Sequence, residues 1–399
     1  MQSRRIGQWL TFLFGCSLFF VLIIFIFFLT KGPTLKDLLL NSPHEELNME
    51  HSMTSSASIP TPIEHSVNAA MTEPIQIDEF RFLHDKDGWA KSKNDIWAIR
   101  DGYLQNVSPP QLQLDEAEFS FAATNQHTAI IYKDATLFTT TTSGDAWNAF
   151  SINGDADKTP KIRASFINQK EGWALIGRGN TGGQHPFDIY HTLNEGREWE
   201  IIYSSDIESA DPIPLQALPY SITFINEKIG FITGGTLKEG SQTFFRTVNG
   251  GRTWKSIEIH YPKGYEHENP DIQAPVFFNG TDGFVYIRSG SELYLFQTMD
   301  QGAHWKSFKI LSNINDLFFL NAKQGWAAQQ NDVGSPATAI LRTSDGGKSW
   351  KKIGQAGFSL SSLHFTSNQD GWGMNLETGL PMKSLNGGKD WTDLIFSSK

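Results

Sequence analysis

The sequence predicts an all-β fold, a seven-bladed β-propeller, preceded by one N-terminal transmembrane helix and a linker. Three observations predict it. Two short motifs alternate from Phe80 to the end of the chain. Successive copies of the first stand 39 to 58 residues apart. Beyond the linker no window of ten or more residues has helical periodicity, whereas short apolar–polar alternations recur, as in 221–226 and 254–259. Four short strands repeated about every 45 residues are the signature of a propeller.

Bulk properties narrow the field first. The chain has 399 residues, 33 Lys+Arg against 43 Asp+Glu, a net charge of -10 and one Cys. An acidic surplus argues against nucleic acid, because phosphate neutralisation needs excess Lys and Arg. A single Cys excludes an intrachain disulfide framework and a Cys-based zinc cluster.

Residues 1–8 carry Arg4 and Arg5, and no charge then occurs from Ile6 to Thr30. The 21 residues Trp9–Leu29 are nearly all apolar. As a helix they span about 31 Å, the thickness of a hydrocarbon core. The expectation is a transmembrane helix over 9–30 with residues 1–8 in the cytoplasm by the positive-inside rule. A cleaved signal is the competing reading, but the apolar run is long and ends at Leu29-Thr30-Lys31 without a small-x-small site. Residues 31–74 are rich in Ser, Pro, Thr, Asn and Glu and hold no aromatic residue, so a flexible linker is expected there. The propeller is assigned to 75–399, outside the cytoplasm.

The first motif is Phe, six residues, then an aromatic preceded by Gly. It reads Phe82…Gly88-Trp89, Phe166…Gly172-Trp173 and Phe224…Gly230-Phe231, then Phe277…Gly283-Phe284, Phe319…Gly325-Trp326 and Phe365…Gly371-Trp372. A worn copy, Phe121…Thr128, completes seven. The second motif is Ser/Thr-x-Asp/Asn-x-Gly-x-x-Trp. Its copies are built on Asn194, Gly196 and Trp199; Asn249, Gly251 and Trp254; Asp300, Gly302 and Trp305; Asp345, Gly347 and Trp350; and Asn386, Gly388 and Trp391. Thr140…Gly144…Trp147 is degenerate, and the first unit has Arg100-Asp101-Gly102 in its place. This composition fits a hairpin turn. Asp or Asn bonds nearby backbone amides, and Gly supplies a positive φ. Each unit therefore reads as strand A ending at Phe, strand B beginning at Gly-aromatic, strand C entering the turn and strand D leaving from Trp.

The second motif resembles the Asp-box, or BNR repeat, of sialidases and sortilin-type receptors. With the first motif, the chain from Phe80 to Lys399 is most similar to the photosystem II stability/assembly-factor family and its bacterial propeller relatives. The resemblance implies a non-enzymatic propeller serving as a protein-binding or assembly scaffold for a membrane or envelope protein. It also implies that the turn residues are structural. A glycan-binding propeller or a sialidase-like glycosidase is the alternative that the same resemblance carries.

No catalytic residue, metal or cofactor is assigned. Gly177-Arg-Gly179-Asn-Thr-Gly182 has dinucleotide spacing, but a strand rather than a helix is expected after it. A sialidase needs convergent arginines to grip a carboxylate; Arg178, Arg246, Arg288 and Arg342 are the candidates, yet Arg246 and Arg342 stand just before turn motifs, at the wrong end. His260, Glu266, His267, Glu268 and Asp271 share one loop without ligand spacing and read as a solvated polar loop. The long B–C and D–A connections leave one end of the ring, and function resides on such loops. That end nominates Arg178, His185, Tyr203, Tyr220, Tyr261 and Tyr265 as partner-binding residues.

Overall fold

The computed structural model describes residues 77, 79–84, 87–100, 103–110, 119–152, 161–179, 184–205, 213–214, 217–236, 243–261, 270–330 and 336–394. The expected transmembrane helix and linker lie outside the described residues, as does Tyr265.

Seven antiparallel sheets follow one another along the chain. Blade 1 runs from Glu79–His84 to Tyr103–Asn106, blade 2 from Ser120–Ala123 to Asn148–Ser151, and blade 3 from Ile162–Phe166 to Glu200–Ser204. Blade 4 runs from Ala217–Phe224 to Lys255–Ser256, and blade 5 from Asp271–Ile272 to Lys306–Ser312. Blade 6 runs from Ile314–Phe319 to Lys351–Ala356, and blade 7 from Leu360–Phe365 to Thr392–Asp393. Each blade has four strands in chain order, except that the first strand of blade 5 is broken into Asp271–Ile272 and Val276–Phe277. The seven-bladed ring that the motif spacing predicts is thus present. First strands of blades 2 and 3, 3 and 4, and 6 and 7 lie side by side, which puts first strands at the centre.

The first motif is explained by one contact. Phe and Gly are cross-strand partners, as in Phe166↔Gly172 and Phe319↔Gly325. A Cβ on Gly172 would stand 2.5 Å from the Phe166 ring, and one on Gly325 2.7 Å from Phe319. The ring lies flat over the bare glycine, so no other residue fits. The neighbouring aromatic points instead into the seam with the following blade. Trp173 stacks on Phe224 at 3.7 Å between centroids, and Trp326 on Phe365 at 3.9 Å, both with planes 5° apart. In blade 2 the residue paired with the turn-motif Thr140 is Ala129 rather than glycine, with Ala123 as its partner in the first strand; Phe121, read from the sequence as the motif Phe, stands two residues earlier, opposite Ile131, and tilts 58° to Trp89 at 6.1 Å instead of stacking.

The second motif closes on itself. The Thr343 hydroxyl accepts the Gly347 amide at 2.9 Å and donates to Asp345 Oδ1 at 2.8 Å, which accepts the Ser349 amide at 2.9 Å. The same three bonds recur around Asn194, Asn249, Asp300 and Asn386. The second side-chain atom of the Asp or Asn bonds the residue four positions on. The Asn249 and Asn386 amides donate to Thr253 and Asp390, whereas the Asp300 and Asp345 carboxylates receive His304 and Ser349. The outgoing strand begins one residue after the Trp, whose indole donates to its own turn glycine at Trp254, Trp305, Trp350 and Trp391. Two consecutive residues of the turn have positive φ; Gly346 and Gly347 do so at 76° and 86°, but blade 3 holds Glu195 at 66°.

Apolar clusters fill the seams. Trp173, Phe187 and Leu175 of blade 3 pack on Ile222, Phe224 and Trp254 of blade 4. Trp326 and Ile340 of blade 6 pack on Leu360, Phe365 and Met382 of blade 7. The ring closes where Trp372 and Met374 of blade 7 meet Ala90, Ile99 and Leu104 of blade 1, with Ile77 and Leu394 in the same cluster. Among the described residues no sheet mixes strands from the two ends of the chain.

Candidate functional site

At one end of the ring the turns between third and fourth strands in blades 3 to 7 are short and share the pattern above. The B–C and D–A connections at the other end differ from blade to blade, and their polar side chains form two groups.

The first group sits in blade 3. Arg178 Nε lies 3.2 Å from Asp188 Oδ2, Arg178 Nη2 donates to Ser204 Oγ at 3.2 Å, and Ser204 donates to Asp188 Oδ1 at 2.6 Å. Three strand ends are tied there, with the Asp188 side chain 11% exposed and that of Arg178 35%. Burial, then Asp188, pushes the Tyr190 hydroxyl up to about 12. Burial, then Lys161, lowers the His185 imidazole below its ordinary value.

The second group lies on the inner strands. Arg163 of blade 3 donates from Nε to the Tyr220 carbonyl at 2.7 Å and from Nη1 to its neighbour Ile162 at 2.8 Å. Burial lowers its pKa, opposed by the Glu79 carboxylate of blade 1. Asp271 and Arg288 are cross-strand partners in blade 5, and Gln273 donates to Asp271 Oδ2 at 2.9 Å. Arg288 reaches into blade 6, donating to the carbonyls of Ile314 at 2.6 Å and Asn315 at 3.3 Å. Asp316 of blade 6 accepts the amides of Leu317 at 2.8 Å and, from blade 7, Leu363 at 2.5 Å. Burial pushes Asp316 up to about 6 against those amides and Arg288. Burial also raises Asp271, and its Oδ1 is enclosed with no hydrogen-bond partner among the described residues.

Of the six residues nominated from sequence, the five that are described separate by exposure. Arg178, His185 and Tyr220 reach the surface of this end, Tyr220 being 39% exposed. Tyr203 is 8% exposed, and its hydroxyl accepts the Ile213 amide at 3.0 Å, so it serves inside the fold rather than at the surface. Tyr261 is half-buried and stands edge-on to Tyr294 at 5.5 Å and Phe296 at 5.9 Å. Asp271 and Arg288 stand out in the sequence for other reasons, but their grouping with Arg163 and Asp316 on the inner strands was not legible, because nothing local marks these positions as axial.

Arg246 and Arg342 are at the opposite end, as their position before the turn motif predicts. Arg246 donates to the Gln301 carbonyl of the next blade at 3.1 Å; Arg342 donates to Asn368 at 2.9 Å and lies over the Trp326 ring. They do not join Arg178 and Arg288 in a carboxylate grip. The stretch Gly177–Gly182 leads into strand Phe187–Thr192. Among the described residues no three His, Cys, Asp or Glu side chains gather as metal ligands. Of the loop read as solvated and polar, Glu266, His267 and Glu268 lie outside the described residues, whereas Asp271 departs from that reading, being a strand residue enclosed opposite Arg288.

No family model matches the chain, and no curated protein matches it in sequence. Solved structures do resemble it. An oligogalacturonate lyase in complex with manganese shares 6% identity over 77% of this chain and 88% of its own, with a TM-score of 0.55. The oligogalacturonate lyase of Vibrio parahaemolyticus shares 8% over 78% and 90%, with a TM-score of 0.52. YCF48 from Cyanidioschyzon merolae shares 16% over 77% and 94%, with a TM-score of 0.45. At these identities the likeness to the lyases is one of fold.

Proposed function

We propose that this chain is a membrane-anchored, non-enzymatic propeller that holds a protein partner outside the cytoplasm and serves as an assembly scaffold. The observation that carries the reading is the difference between the two ends of the ring. One end repeats a single bonding pattern through blades 3 to 7. The other end bears the dissimilar connections, with Arg178, His185 and Tyr220 at its surface. Irregular loops on a rigid frame are where a specific partner is recognised. The apolar run Trp9–Leu29 supports anchoring, and the motif resemblance supports an assembly role.

Crosslinking and co-purification of the full-length protein from its own membranes test this reading. A stoichiometric membrane protein that is captured by the wild type, and lost on Arg178→Ala with Tyr220→Ala, is the expected result. Capture that survives both substitutions moves the partner to another surface. Capture of nothing, with turnover of a sugar substrate, overturns the scaffold reading.

A further inference from the structure

Four Asn-Gly pairs occur in the chain: Asn153-Gly154, Asn249-Gly250, Asn279-Gly280 and Asn386-Gly387. The first lies outside the described residues. In such a pair no side chain shields the glycine nitrogen from the Asn amide carbon, so the backbone can approach it closely. The nitrogen can attack that carbon when its N–H is not held by a carbonyl and the chain around it is free to turn.

The fold treats the three described pairs differently. Gly250 and Gly387 are the first glycines of turn motifs, with φ of 74° and 75°. Gly250 donates its N–H to the Lys228 carbonyl at 2.9 Å, and Gly387 donates to the Gln369 carbonyl at 2.8 Å. Attack at either pair would break a backbone bond and the turn with it. Asn279-Gly280 lies between the first and second strands of blade 5, and both residues are exposed. A Cβ on Gly280 would meet nothing within 4 Å, and its φ is not positive. Its N–H has no hydrogen-bond partner among the described residues.

The three Asn side chains, in contrast, are bonded alike. Asn249 Oδ1 accepts Thr247 Oγ1 and the Thr253 amide, and Asn386 Oδ1 accepts Ser384 Oγ and the Asp390 amide. Asn279 Oδ1 accepts the Thr281 amide at 2.8 Å, the Asp282 amide at 2.5 Å and Thr281 Oγ1 at 3.1 Å. Donors on that oxygen polarise the carbon and hold the oxyanion that forms when a nitrogen adds to it. The difference between the pairs therefore lies in the glycine.

We propose that Asn279-Gly280 is the site at which the folded propeller converts spontaneously to aspartate and isoaspartate, and that the turn motif protects Asn249 and Asn386 from the same reaction. The Gly280 nitrogen gives its proton to solvent and bonds Asn279 Cγ. The Cγ–Nδ2 bond breaks, and Nδ2 takes a proton from solvent and leaves as ammonia. Water then opens the cyclic imide at either carbonyl, and nothing is oxidised or reduced. Conversion matters to this end of the ring. Asn279 Nδ2 donates to Asp282 Oδ2 at 3.1 Å, so the product sets two carboxylates together. The Gly280 and Thr281 carbonyls also accept Gln301 Nε2 and the Gln301 amide, both at 3.0 Å, which ties this turn to the motif turn of blade 5. The extra backbone carbon of isoaspartate loosens that tie. The inference stands apart from the proposed partner and location.

Purified full-length protein held in mildly alkaline buffer tests it. Peptide mass spectrometry follows each amide-to-acid conversion, and labelling by an isoaspartyl methyltransferase reports isoaspartate. In the folded protein Asn279 should convert at least about tenfold faster than Asn249 or Asn386. In urea the three rates should converge, since only the shared Asn-Gly sequence then acts. Gly280→Ala should slow conversion of Asn279 at least about tenfold, with the melting temperature unchanged because its methyl group meets nothing. An Asn279 that stays intact in the folded protein overturns the proposal, as does equal conversion of Asn249 or Asn386. Rates that keep the same ratio in urea assign the difference to local sequence rather than to the fold and overturn it as well.

Discussion

Trp173 of blade 3 lies face to face with Phe224 of blade 4, 3.7 Å between centroids, while its indole nitrogen donates to the Gly250 carbonyl at 3.0 Å. One side chain thus joins the first motif of its own blade to both motifs of the next. Trp326 repeats the arrangement with Phe365 and Gly387. Both indoles are fully buried. Trp173→Ala and Trp326→Ala should each destabilise the ring by about 3–5 kcal/mol, since a large cavity and an orphaned carbonyl result. Urea denaturation followed by circular dichroism measures the loss.

Gly172→Ala should cost about 1–3 kcal/mol by overpacking against Phe166. In Phe166→Leu the same Gly172→Ala change should cost less, because the flat ring is gone. A double-mutant cycle reads the coupling, and additive single effects would refute the contact as the reason for the motif.

Asn386→Asp tests the pairing rule of the turn. It sets two carboxylates where the Asn386 amide now donates to Asp390 at 2.7 Å. The variant should lose about 1 kcal/mol near neutral pH and regain it when Asp390→Ser is added, which recreates the Asp345–Ser349 pair. Melting temperatures of the single and double variants decide it.

Glu195 has a left-handed φ of 66° where blades 4, 6 and 7 have glycine. Glu195→Gly should raise stability by about 0.5–1 kcal/mol, the relief of backbone strain exceeding the exposed ion pair with Arg197. A fall in melting temperature would show the strain to be absorbed elsewhere.

Asp316 gives a pH dependence of defined sign. Its carboxyl is pushed up to about 6 by burial, above the roughly 3.9 of an unfolded chain. Ionisation is therefore harder in the folded state, and stability falls as pH rises from about 4 to about 6. Asp316→Asn stays neutral and loses one acceptor at every pH. Relative to wild type it should gain on the order of 2–3 kcal/mol across that window. Parallel stability profiles for the two proteins would overturn the assignment.

How much of this was legible in the sequence depends on how local each cause is. The strand limits at Phe, at Gly-aromatic and at Thr could be read directly, because each is fixed by a bond within a few residues, such as Gly347 to Thr343. The stacking partner of Trp173 could not, since Phe224 is fifty residues on and its register depends on the ring. The same holds for Arg100, which serves where blade 1 lacks the motif. It donates to the Ser143 carbonyl and to Asp145, both at 2.8 Å, strapping blade 1 to the turn of blade 2. Site residues were legible where loops are long, as at Arg178, and hidden where strands begin, as at Asp316.

Ile77 and Leu394 share the cluster between blades 7 and 1, where, among the described residues, no strand of one blade joins the sheet of the other. A backbone ladder bridging that gap would have made the first and last segments inseparable from one blade. Among the described residues the circle is a split ring, with its cut at that seam. Joining residues near Ile77 and Leu394 and opening the chain between two other blades moves the cut without breaking a sheet. Chains rearranged in this way should still fold, and the seam that opens first under denaturant should follow the new break.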